Sequence, residues 1–339
     1  MAEVSAPPWT IIGQGLAGTC LAWEFWKRRV PFALIDREHG GSSRVAAGLI
    51  NPITGKNFEP SIKIGEFLPE SIDFYNAVEQ HIGKPLWHPL PVLRLADTEK
   101  EWSRMLAKLT RPDVKPWLSH DNAAIAVNGW VGAIELTGGG RLDTRAFIDG
   151  SREFFKKLKL YQSAEIHTDT LGPGRIWCEG AAGLMLGRYG PHRCAKGEIL
   201  TLKATGWGET HIRIGAGGWL VPLGNGLFKV GSTYEWNQLD ETPTAKGRAR
   251  VHEIAVRLGG EHFEEIAHEA GIRPILRRSE PLIGPLAGGD WMFNGLGSKG
   301  SLYAPGVARR LADWLIDGQA PELEFDFRNF RNNPFSGNA

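Results

Sequence analysis

Cysteine is nearly absent: Cys20, Cys178 and Cys194 are the three in 339 residues, and no two of them form a CxxC pair. Three are too few for a disulfide framework, which excludes the stapled secreted scaffolds and is the usage expected of a reducing cytoplasm. No apolar run approaches the roughly 18 residues that a membrane-crossing helix needs. The first ten residues, MAEVSAPPWT, lack the charged and apolar regions of a secretory leader. No excess of either charge is present, with 39 basic against 38 acidic residues. Without a global field there is no sign of a nucleic-acid or anionic-membrane partner. The ten histidines are scattered, with no HExxH or close pairing, so no metal site is expected. Internal repeats and low-complexity tracts are also missing. A cytoplasmic protein acting on a small molecule is the expectation, with its oligomeric state open.

What the chain has is glycine, 43 residues of it, and the placement is informative. Residues 9–12 are an apolar run, Gly13-Gln14-Gly15-Leu16-Ala17-Gly18 follows, and Ala17, Leu21 and Phe25 then recur at helical spacing. A second apolar run, 32–35, ends in Asp36. Strand, glycine turn, helix, strand and terminal acid are the parts of a dinucleotide site. Gly13 permits the tight turn, Gly15 admits a pyrophosphate close to the backbone, Gly18 allows helix and strand to pack, and the helix N-terminus faces the phosphates. Asp36 stands where a carboxylate accepts hydrogen bonds from the adenosine ribose and repels a 2′-phosphate.

Next come Arg37 and a small-residue stretch, Ser42-Ser43-Arg44-Val45-Ala46-Ala47-Gly48-Leu49-Ile50-Asn51-Pro52. The GxGLAG turn, the acid and SSRVAAGLINP together resemble the N-terminal third of the D-amino acid oxidase-like flavoproteins, the family of glycine oxidase and sarcosine oxidase. That resemblance implies FAD as the cofactor, a Rossmann-like FAD-binding domain and a second, mainly antiparallel β substrate domain, an α/β fold overall. Relatives that attach FAD through histidine carry that histidine immediately before the AAG segment. Here the position is Val45, so non-covalent FAD is expected.

Residues 63–82 read as a helix, and three prolines within 85–91 mark an exit from the nucleotide domain. Residues 102–109 read as a helix and 123–136 as strands, with Trp87, Trp102, Trp117 and Trp130 expected in the core or lining a cavity. A helix is predicted over 145–158, capped by Asp143 or Thr144. The segment 175–181 loosely matches the strand and glycine turn, at Gly180, that closes the family's FAD domain. Runs at 199–202, 210–214, 218–222 and 226–234 predict an antiparallel sheet. Lys229 lies in one of them; the ordinary place for such a lysine is the solvated face, whereas the resemblance suggests the lysine by which sarcosine oxidase activates oxygen. Helices are predicted at 244–258 and 262–270.

Near the C-terminus, Gly271-Ile272-Arg273-Pro274 and Pro281-Leu282-Ile283-Gly284 match the family's G-x-R-P and P-x-I-G elements. A planar guanidinium suits bidentate capture of a carboxylate, and in glycine oxidase-like relatives the arginine matching Arg273 holds the substrate carboxylate. Residues 291–302 repeat strand, glycine turn and helix. Gly295, Gly297, Ser298, Lys299, Gly300 and Ser301 are expected against the flavin, and Pro305 in the first turn of the helix. The expected division is 1–84, 141–194 and 271–335 for FAD, and 85–140 and 195–270 for substrate.

The expected activity is FAD-dependent oxidation of a primary or secondary amine, an α-amino acid in the main reading. Hydride transfer to flavin N5 yields an imine, and oxygen reoxidises the flavin to give H2O2. Two other readings stand beside it: an oxidase of a carboxymethylaminomethyl-modified tRNA base, which the balanced charge disfavours, and a flavin-binding protein without turnover.

Overall fold

The computed structural model describes residues 9–120, 124–166, 174–276 and 280–332. Residues 1–8 and position 123 of the predicted strand region lie outside them. Two large sheets organise the chain.

The first sheet has six strands in the order Tyr161–Ser163, Phe32–Asp36, Trp9–Ile12, Arg175–Trp177, Trp291–Asn294 and Leu282–Pro285. The first five run parallel and the last pairs antiparallel. The strand–helix–strand unit seen in the sequence is its centre: Trp9 lies opposite Phe32 and Ile12 opposite Ile35. The connecting helix, Leu16–Lys27, is buried continuously from Leu16 to Phe25 rather than on one face. It has neighbours all round, above all the C-terminal helix Gly300–Asp317, which is what a nearly all-apolar helix requires. Around it Leu21, Phe25, Leu34, Phe147, Phe155, Val307 and Leu311 form the largest core.

The second sheet has eight strands, ordered Glu264–Arg273, Ala195–Lys203, Leu227–Gly231, Gly218–Gly224, Ile212–Gly215, Val92–Ala96, Gly132–Leu136 and Ala124–Ile125. Every neighbouring pair is antiparallel except Ile212–Gly215 with Val92–Ala96. A small sheet of Leu49–Ile50, Gly140–Leu142 and Trp87–Pro89 joins the two halves. The α/β class and the division into a parallel nucleotide sheet and a mainly antiparallel second sheet follow the expectation.

Two local expectations are corrected. Residues 262–270 contribute to a strand, Glu264–Arg273, not a helix. Their Glu and Ala content favours a helix, but pairing along the whole of Ala195–Lys203 overrides that propensity. Pro305 is inside the helix Gly300–Asp317, not in its first turn. The missing Pro305 N–H leaves the Ser301 carbonyl without its helical donor, and the Tyr75 hydroxyl supplies one at 2.9 Å. The helix Thr144–Lys157 starts at one of the two expected caps, the Asp143 side chain accepting from Ala146 N, and Thr244, expected inside the next helix, instead caps Ala245–Leu258 by accepting from Gly247 N.

Candidate active site

The turn after Trp9–Ile12 is locked from three sides. Gly13 has φ of 100°, and a Cβ there would lie 2.5 Å from the Cys178 carbonyl oxygen. The Gln14 N–H donates to Asp36 Oδ2 at 2.7 Å, and the Glu38 N–H donates to Asp36 Oδ1 at 2.7 Å. The Gln14 side chain donates to Ile148 O and accepts from Arg152 Nε. Asp36 thus shapes the glycine loop as well as ending its strand, and Arg152 Nη2 stands 3.6 Å from its carboxylate. The helix Leu16–Lys27 begins with no side-chain cap from Gly15 and no acid in its first turn. Its positive end is left for an anion. Gly18 serves packing: a Cβ there would meet the Gly13 carbonyl oxygen at 1.9 Å.

A second helix N-terminus arrives beside the first. Gly300–Asp317 also starts without a side-chain cap or a first-turn acid. A Cβ on Gly300 would lie 2.8 Å from Leu16 Cδ1, so the two helix starts are in direct contact. Burial lowers the Lys299 pKa, and Glu280 opposes the shift. Against the first of these starts lies the small-residue stretch, which folds as a single helical turn, Ser42–Val45. Ser43 Oγ accepts from the Leu16 N–H at 3.2 Å. Arg44 bonds Asp149 through Nη2 at 2.6 Å, while its buried Nη1 meets no partner among the described residues.

The strand Glu264–Arg273 forms the next wall. A Cβ on Gly271 would come within 3.0 Å of Ser42 Cα, and two residues later the strand presents Arg273. Its guanidinium donates to Lys196 O at 3.3 Å, Ser232 Oγ at 2.5 Å and Thr233 O at 3.1 Å, and lies 4.0 Å from the centre of the Tyr234 ring. No carboxylate among the described residues lies within ion-pair distance of it. Burial lowers its pKa, which is the mark of a cation drawn from water without a counter-charge.

The glycine turn, Asp36, the turn Ser42–Val45, the start of Gly300–Asp317 and Arg273 line one cavity of about 1150 Å³. That is above the roughly 300–1,000 Å³ typical of small-ligand sites, so an extended ligand and a substrate can share it. Among the sequence-selected residues, Gly13, Gly15, Leu16, Ala17, Asp36, Arg37, Ser43, Arg44, Ala46, Ala47, Gly48 and Gly180 line it from the N-terminal half. Arg273, Gly297, Ser298, Lys299, Gly300 and Ser301 line it from the C-terminal end. Gly18, Gly295 and Lys229 do not. The solvated-face expectation for Lys229 is corrected. The residue is 9% exposed, and its ammonium donates to Val45 O at 2.6 Å and Ala46 O at 3.3 Å, behind the cavity wall. The loop from Val45 to Ala46 supplies carbonyls there that draw the side chain inward.

Sequence reasoning missed several wall residues. Of the tryptophans, Trp219 lines the cavity, whereas Trp87, Trp102, Trp117 and Trp130 pack against cores. Ser232, Tyr234, Arg152 and Glu179 are among the other omissions. Tyr234 and Ser232 sit just past the strand Leu227–Gly231, where no spacing rule singles them out. Burial raises the Glu179 pKa against the pull of Arg188.

The cavity fits a dinucleotide. Two helix starts without an acid in their first turns meet in it, an acid terminates the second strand, and the Ala47 N–H, on a residue only 6% exposed, has no acceptor among the described residues. Comparison with known proteins agrees: the chain belongs to the DAO family of FAD dependent oxidoreductases, whose model matches residues 9–314. It is similar to glycine oxidase of Pseudomonas aeruginosa, 24% identical over 93% of this chain and 96% of that protein. Among solved structures, glycine oxidase from Geobacillus kaustophilus superposes with a TM-score of 0.76 at 18% identity, covering 93% of this chain and 95% of that one. Iminodiacetate oxidase from Chelativorans sp. gives 0.74 at 18%, covering 92% and 96%. The protein is an FAD-dependent oxidoreductase. No described helix is long and apolar enough to cross a membrane.

Proposed function

We propose that this enzyme oxidises an α-amino acid, or a secondary amine bearing a carboxylate, with Arg273 as the carboxylate anchor. The observation that carries the reading is the Arg273 guanidinium, held by neutral acceptors and facing the cavity with no acid beside it among the described residues. A buried cation left unpaired is costly, and a substrate carboxylate removes that cost. Glycine oxidase and iminodiacetate oxidase, named above, act on carboxylate-bearing amines, which supports the same substrate class.

Non-covalently bound FAD would supply the acceptor for the hydride that leaves the substrate Cα. The chain's part is binding and orientation. The glycine turn at 13–18, with Asp36 and Arg37, would hold the adenosine diphosphate part; Ser43, Arg44, Ala46, Ala47, Gly48 and Gly180 would line its middle. Gly297, Ser298, Lys299, Gly300 and Ser301 would line the far end, where the amides of Ser298, Gly300 and Ser301, which meet no acceptor among the described residues, would face negative charge. Arg273 would fix the carboxylate so that the Cα–H faces the cofactor, and orientation of this kind supplies much of the rate. Ser232 and Thr233 hold the guanidinium in place. The amine reacts as the neutral base, losing one N–H proton as the hydride departs, so the product is an imine. Water then hydrolyses the imine to a keto acid and ammonia, or to a smaller amine. Oxygen is the proposed electron acceptor, giving H2O2.

In this reading residues 1–84, 141–194 and 271–335 serve FAD, and 85–140 and 195–270 serve substrate. The test is anaerobic bleaching of the flavin by a panel of amino acids in wild type and Arg273→Ala. Rapid bleaching in the first and slow bleaching in the second is expected; equal rates would remove the anchor.

A further inference from the structure

Lys229 belongs to a cluster that the proposed chemistry does not use. Three successive carbonyls, those of Arg44, Val45 and Ala46, end the short helix Ser42–Val45 on the side away from the cavity. Arg145 Nε donates to the first at 3.2 Å and Lys229 Nζ to the second at 2.6 Å. The third accepts from Lys229 Nζ at 3.3 Å and from Thr144 Oγ1 at 3.2 Å. These donors come from the strand Leu227–Gly231 and the start of the helix Thr144–Lys157. Glu269 holds the two cations together from a third element, 3.9 Å from Lys229 and ion-paired with Arg145. Cations at a helix C-terminus are stabilising in any protein. Here the consequence reaches further, because the next peptide faces the cavity.

In a trans peptide the C=O and the following N–H point in opposite directions. With the Ala46 carbonyl turned back to Lys229 and Thr144, the Ala47 N–H is turned toward the cavity, which Ala47 lines. That donor meets no acceptor among the described residues. A buried N–H of this kind ordinarily has a partner. We propose that Lys229 is a positioning residue whose ammonium, with the Thr144 hydroxyl and the Arg145 guanidinium, clamps these carbonyls so that the Ala47 N–H is presented to bound FAD. This assignment rests on the cavity being the FAD site. It replaces a direct encounter of Lys229 with oxygen, since the side chain lies behind the wall.

The test uses apoprotein, FAD titration and the midpoint potential of the bound flavin. Weakening one neutral N–H donor to a ligand loses about 2–10-fold in binding, so Lys229→Met is expected to raise the FAD Kd by that factor. The midpoint potential should fall, because a donor that favours the reduced, more negative flavin is loosened. Lys229→Arg keeps a cation and is expected to recover most of the affinity. Should Lys229→Met fail to fold, Thr144→Val tests the same carbonyl and is expected to shift Kd and potential in the same direction by less. A Lys229→Met protein with wild-type Kd and potential, but slowed reoxidation by oxygen, would overturn the clamp and leave the cofactor site standing. Wild-type apoprotein that binds no FAD would overturn both.

Discussion

Replacing Arg273 with alanine probes the substrate end of the site most sharply. In the wild type, three neutral acceptors hold the guanidinium and the Tyr234 ring covers one face of it. A substrate carboxylate would add two charge-assisted bonds, each worth roughly 1.5–3 kcal/mol. Allowing for the water that reoccupies the vacated space, the variant should lose about 3–4.5 kcal/mol of transition-state binding, a drop of roughly 10²–10³-fold in kcat/KM. Arg273→Lys keeps the charge but not the fork, so only part of this loss should be recovered. The assay is the anaerobic decay of flavin absorbance, run with an amino acid and with the amine that differs from it only by lacking the carboxylate. The amino acid should lose its advantage in the variant, while the simple amine is processed alike by both proteins. If both compounds slow equally, or neither slows, the carboxylate-anchor reasoning is refuted.

Gly197→Ala would place a Cβ 2.1 Å from Arg273 Nη2; KM should rise with FAD occupancy unchanged, as read by flavin absorbance and steady-state kinetics. Tyr75→Phe strips the Ser301 carbonyl of its hydroxyl donor beneath Pro305 and should cost about 1–3 kcal/mol in denaturant unfolding. Burial pushes the Lys229 pKa down to about 8, opposed by Glu269 and aided by Arg145, with Asp143 opposing and Arg141 aiding more weakly. The unfolded lysine keeps its proton up to roughly pH 10.4, so between these values the unfolded chain binds more protons and stability rises with pH. Urea midpoints at pH 7.5 and 9.5 should show that rise in wild type and a smaller one in Lys229→Met.

The nucleotide end of the molecule was legible because its chemistry is local. A strand, a glycine turn, a helix and an acid within 28 residues carry their own geometry, and Gly13 to Asp36 fold as that spacing implies. The repeat at 291–302 was legible for the same reason. The strand Glu264–Arg273 was not, since its helix-favouring Glu and Ala residues become a strand only beside Ala195–Lys203, some 70 positions away. Pro305 misled because the compensating donor, Tyr75, lies in a distant helix. Lys229 looked like a surface residue in a strand because the carbonyls that draw it inward belong to residues 45 and 46. Trp219, Ser232 and Tyr234 escaped notice because aromatic and hydroxyl residues in a loop-rich β region carry no spacing signal. Ser232 and Tyr234 meet Arg273 only because Ala195–Lys203 pairs with both Leu227–Gly231 and Glu264–Arg273.

The most direct check on the account as a whole is an anaerobic titration of the purified, flavin-loaded wild-type protein with α-amino acids, followed by visible absorbance. The account expects the yellow colour to be lost with at least one of them, with a keto acid and ammonia, or a smaller amine, recovered afterwards. Protein that carries FAD yet stays yellow with every amino acid and carboxylate-bearing amine would contradict it.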